Sequence, residues 1–72
     1  IKVMAIFYTD GKIQPVKFRV SDKVVNIDRV TKTYKESTVG NIRIVFVCIQ
    51  NEKDIYEIKY EPESNIWYLF KK

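Results

Sequence analysis

Histidine is absent from these 72 residues, and cysteine occurs once, at Cys48. Zinc sites built on His and Cys are therefore excluded, as are Ser–His and Cys–His nucleophile pairs. No disulfide can form within the chain, which points to the reducing cytosol rather than to a stapled secreted domain. Glycine and proline number two each, too few for a linker or a low-complexity tract. No apolar run approaches the ~20 residues of a membrane-spanning helix, and no membrane partner is expected. The opening residues 1–8 are too short and too mixed for a signal peptide. The chain starts at Ile1, not Met, so an initiator Met or further N-terminal residues are expected before it.

What is present fits one small folded domain spanning residues 1–72. Hydrophobic residues make up 46% of the chain and aromatics 14%, too many for a disordered polymer. A domain of this size buries roughly 60% of its unfolded surface and is marginally stable. The net charge is +4, and it is uneven. Residues 1–47 hold nine Lys/Arg against four acids, whereas residues 48–72 hold four against five. A basic domain suits an anionic partner, although many small domains carry such a charge on an ordinary solvated surface.

Periodicity predicts strands almost throughout. Residues 2–9 are β-formers followed by Asp10-Gly11, a pair that tolerates the positive φ of a tight hairpin. In residues 13–20, Val16, Phe18 and Val20 alternate with Lys17 and Arg19, giving one apolar and one basic face. Pro15 donates no ladder hydrogen bond and suits a strand start or an edge. Residues 24–33 read as a third strand, with a bulge at 26–28 accounting for its irregular alternation. Residues 34–40 form the longest polar interruption and are expected as the main loop. In residues 41–50, Ile42, Ile44, Phe46 and Cys48 share one face, and Arg43, Val45, Val47 and Ile49 the other. Residues 54–60 and 66–71 supply two more strands. Residues 29–37 carry no amphipathic stripe and are not read as a helix.

The expected fold is all-β, a five- to six-stranded antiparallel meander. A flat sheet of this length leaves one face bare and two edges open, so a strongly bent sheet or a small SH3-like barrel is favoured. The alternative is an open sheet that forms a homodimer through Val45, Val47 and Ile49. Val16, Phe18, Val20, Ile42, Ile44, Phe46, Ile58 and Trp67 are the expected core. In the last strand Trp67 and Leu69 are assigned inward, leaving Tyr68 and Phe70 partly exposed.

Few residues carry chemistry. The carboxylates fall mainly in or beside predicted turns, where backbone bonding and solvation explain them. Glu61 and Glu63 flank Pro62, but two carboxylates alone make a weak cation site. Cys48 has no base to activate it and reads as a small buried hydrophobe. Gly11 and Gly40 are too isolated to cradle a phosphate. No catalytic residue, metal site or cofactor is expected. The remaining constellation is basic and aromatic. Lys17 and Arg19 share a strand face, Arg43 and Lys59 point outward, and Tyr68 and Phe70 offer rings. Small β-barrels that hold single-stranded nucleic acid combine such groups. The same residues equally form the solvated half of alternating strands, and a protein partner then takes the place of nucleic acid.

Gly11 and Pro15-Val16-Lys17-Phe18-Arg19, then Ile27-Asp28-Arg29-Val30, then Arg43, Phe46 and Cys48, then Tyr56-Glu57-Ile58, and finally Trp67-Tyr68-Leu69 span nearly the whole chain. This pattern resembles a group of small uncharacterised bacterial proteins, a domain of unknown function. That group has a Pro-x-x-Phe-basic strand and a closing Trp-Tyr-Leu strand, and related segments occur beside translesion-polymerase-like genes. The resemblance implies a cytoplasmic accessory or binding module near DNA, and it supplies no catalytic residues.

Overall fold

The computed structural model describes residues 1–71, and of Thr38 and Lys71 the backbone alone. It is all-β and antiparallel, with no helix among the described residues. Seven strands run in chain order: β1 (Lys2–Phe7), β2 (Ile13–Val20), β3 (Lys23–Asn26), β4 (Arg29–Thr38), β5 (Asn41–Gln50), β6 (Asp54–Glu61) and β7 (Ile66–Lys71). They form two sheets, ordered β1-β2-β3 and β4-β5-β6-β7. The sheets do not close into a barrel. They face each other across one core.

The strand count exceeds five or six because the expected third strand divides. At Ile27–Asp28, inside the expected bulge, the chain leaves one sheet for the other. The Ile27 N–H donates to the Val16 carbonyl at 2.9 Å, and the Asp28 N–H donates to the Ile49 carbonyl at 2.8 Å. The Asp28 carboxylate accepts from the Asn51 N–H, which ties the crossing point to the β5–β6 turn. Residues 34–38 are not a loop. They extend β4 because β5 offers a partner at every step, from Tyr34↔Val45 to Thr38↔Asn41. Only Val39 and Gly40 remain as the turn, with Gly40 at φ +82°.

The first hairpin turns at Asp10-Gly11, with a three-residue loop in place of the tight two-residue turn. Tyr8 and Lys12 pair by backbone bonding, Asp10 Oδ1 accepts from the Lys12 N–H at 3.0 Å, and Gly11 takes φ +94°. A left-handed glycine closing a three-residue loop is a common hairpin form. Farther along the same hairpin the register shifts by one, from Ala5↔Pro15 to Met4↔Lys17. Val16 is the extra residue, a bulge beside a proline that has no N–H to give the ladder.

The core holds Phe18 and Val25 from the three-stranded sheet against Phe46, Cys48, Tyr56, Ile58, Tyr60 and Trp67 from the other. Ring packing joins the layers. Phe18 meets Tyr56 edge-on at 5.3 Å and Phe7 meets Tyr60 edge-on at 5.7 Å, while within the four-stranded sheet Trp67 lies 4.6 Å from Tyr60 and 5.7 Å from Phe46, centroid to centroid. Of the expected core, Phe18, Phe46, Ile58 and Trp67 are buried, whereas Val16, Val20 and Ile44 are half-buried. Ile42 is 57% exposed, because it sits next to the β4–β5 turn, at the end of the hairpin. Val16 misses the core because its bulge breaks the alternation that the sequence suggests. Leu69 is inward and half-buried, packed against the core.

Candidate nucleic-acid interface

The six residues expected to hold nucleic acid divide between the two sheets. Arg43, Lys59, Tyr68 and Phe70 lie together on the outer face of the four-stranded sheet. Alternation along β5, β6 and β7 sends them away from Phe46, Ile58 and Trp67. Their charges are already spent. Arg43 Nε is 3.2 Å from Glu61 Oε2, and its guanidinium lies 4.9 Å from the centre of the Tyr68 ring. Ser64 Oγ donates to the other Glu61 oxygen at 2.7 Å. This hydroxyl, with Arg43, holds the Glu61 carboxyl below its ordinary value. Glu61 is thus committed to Arg43 and Ser64, not to a cation shared with Glu63.

Lys59 is more deeply committed. Its Nζ is 3.0 and 2.9 Å from the two oxygens of Glu36 and 3.5 Å from the centre of the Phe70 ring. Phe70 reaches this place through a register shift in the β6–β7 ladder, which passes from Ile58↔Leu69 to Glu57↔Lys71 and leaves Phe70 as the surplus residue. Two ion pairs and two cation–ring contacts therefore tie Arg43, Lys59, Tyr68 and Phe70 into the fold, and Lys32 lies over Tyr34 at 5.5 Å on the same face. The rings that looked free to stack on a base each carry a cation of the protein itself.

The same face holds Val45, Val47 and Ile49. Val45 is 0% exposed, which corrects its reading as part of an exposed self-association strip. Its cross-strand neighbours on this face are Tyr34 and Lys59, and Lys59 packs beneath Phe70. Val47 and Ile49 are half-buried.

Lys17 and Arg19 lie on the outer face of the other sheet, directed away from Arg43 and Lys59 across the thickness of the domain. There they meet Lys2, a cation that the sequence did not single out. The ladder sets Lys2 opposite Arg19 and Met4 opposite Lys17, with Val24 on the far side of Arg19. The three cations and the exposed Met4 and Val24 surround a shallow depression of about 480 Å³. No carboxylate lines it, and none of the three cations makes an ion pair among the described residues. Cross-strand like charges are ordinarily unfavourable, so the sheet holds here a concentration of positive charge that it does not neutralise.

Even hairpin counting does not bring Lys2 beside Arg19. Stepping back evenly from the Asp10-Gly11 tip pairs Lys2 with Phe18. The extra residue at Val16 moves it to Arg19. Pro15 was the only sign of that shift in the sequence.

Among the described residues, no three of His, Cys, Asp and Glu come together to hold a metal ion. Cys48 is buried, and burial pushes its thiol up to about 12. Its Sγ lies 3.8 Å from the Phe46 carbonyl. No protein-family model, no curated protein and no solved structure matches the chain.

Proposed function

We propose that the protein is a non-catalytic binding module that holds a single-stranded nucleic acid on the outer face of the β1-β2-β3 sheet. The observation that carries this reading is the cluster of Lys2, Lys17 and Arg19 around one depression with no carboxylate among them. The other two cations expected to take part, Arg43 and Lys59, are neutralised within the fold, so the contrast between the two faces is sharp. Phosphates supply most of the affinity in such contacts. Arg19 can also stack its guanidinium plane on an unpaired base, with Met4 and Val24 as apolar ground beside it. The self-associating alternative loses its main support with the burial of Val45.

Fluorescence anisotropy with a labelled single strand tests the proposal. Three phosphate contacts give a log K against log salt slope of about −2, from roughly 0.7 per contact on single strands. Lys17→Glu/Arg19→Glu should abolish binding, and Arg43→Gln should leave it unchanged. Absence of binding by the folded wild type at low salt overturns the reading.

A further inference from the structure

Beyond the basic face, the two sheets leave a gap between them. β3 and β4 form one nearly continuous run that pairs first with β2 and then with β5. Past Ile27 this run diverges from β2. Among the described residues, the side of β2 before Val16 that faces away from β1, and the outer edge of β4, then have no neighbouring strand. The space between these edges is a cleft of about 530 Å³, within the range of ligand sites. Its apolar floor is Ile13, Ile44 and Phe46, and its mouth carries Lys12 and Lys35. No carboxylate lines it, and neither lysine makes an ion pair among the described residues.

We propose that this cleft receives an extended peptide in which acidic residues alternate with apolar ones, laid as an added strand along the free edge of β4. An edge strand presents a row of unpaired N–H and C=O groups to an incoming chain. Side chains of an added strand alternate between faces. Apolar residues on the inner face reach Ile13, Ile44 and Phe46, while the carboxylates, on the outer face, stand beside Lys32 and within the positive field of Lys12 and Lys35 at the mouth. Charge selects against a second copy of this chain. β4 carries Arg29, Lys32 and Lys35 against the single Glu36, so β4 pairing with β4 sets an excess of like charge across the new ladder.

The test uses the 15N-labelled protein and the blocked hexapeptide Glu-Val-Glu-Val-Glu-Val, with Lys-Val-Lys-Val-Lys-Val as the opposite-charge control. The acidic peptide should give saturable amide shifts confined to residues 8–14 and 31–36, with slowed amide exchange along β4. Lys12→Glu/Lys35→Glu should weaken it at least tenfold and turn the preference toward the basic peptide. Lys17→Glu/Arg19→Glu should leave it bound. Shifts centred on Lys2, Lys17 and Arg19, or equal affinity for the two peptides, would overturn the proposal. So would a β4 edge already protected in a peptide-free dimer, as seen by light scattering.

Discussion

Lys59 Nζ stands 3.5 Å from the centre of the Phe70 ring, on a side chain only 5% exposed. A buried ammonium is costly unless it is paired, and here Glu36 pairs with it. Glu36 is 28% exposed, so the two partners differ in what happens when either is lost. Glu36→Ala leaves a buried cation with only the ring for company and should cost about 1–3 kcal/mol. Lys59→Met leaves a carboxylate that water can reach, with the apolar stem retained against Phe70, and should cost clearly less. Urea midpoints for the two variants measure the difference. Equal losses would show that the pair shares its desolvation evenly.

Phe46→Ala and Trp67→Ala should each remove about 3–5 kcal/mol, comparable to the whole stability of a domain this small. Phe46 stacks on Trp67, and both touch the layer contributed by the other sheet through the same cluster. Both variants should be largely unfolded by far-ultraviolet circular dichroism at 37 °C. Ile42→Ala, at the exposed hairpin end, should fall within about 0.5 kcal/mol of wild type.

Acid should expose the role of Glu61. Its carboxyl is held below the ordinary value of 4.5 by Ser64 and Arg43, so the folded state favours the ionised form. The stabilisation is complete above that ordinary value and is lost as pH falls through the lower value of the folded state. The stability gap between wild type and Glu61→Gln should therefore be constant from pH 7 to 5 and narrow below 4.5. A gap that widens with acid would reverse the sign and place the carboxyl on the other side of its ordinary value.

Cys48 should be silent toward thiol reagents in the folded protein. With the thiol pushed up to about 12, thiolate at pH 8 is on the order of one part in ten thousand, and burial removes access as well. Reaction with an aromatic disulfide reagent should follow global unfolding across a urea series. Rapid labelling in buffer would mean that β5 opens locally.

Much of the layered core was readable because alternation is local. Phe18, Phe46, Ile58 and Trp67 follow from period-two patterning in their own strands, and all four are buried. Alternation also separated Arg43, Lys59, Tyr68 and Phe70 from the core face. It carried no knowledge of neighbours across the sheet, and that is where the reading fell short. Val45 looked exposed because nothing in its own strand announces Tyr34 and Lys59 beside it. Residues 34–38 looked like a loop because their polarity speaks for solvent, whereas their backbone is held by β5. Lys2 joined Lys17 and Arg19 only through a one-residue offset beside Pro15.

That offset has a further effect. Val16 is surplus when β2 is counted against β1, yet it is in step when counted against β3 and its continuation, where Lys17 pairs with Asn26 and Val16 bonds to Ile27. β2 is thus graduated differently on its two sides, like the sliding scale of a vernier. A slip that realigns one side misaligns the other, so only one setting satisfies both neighbours. Removing Val16 would straighten the first hairpin and strand Ile27 at the point where the chain crosses between sheets. The position therefore tolerates exchange of side chain far better than loss of a residue.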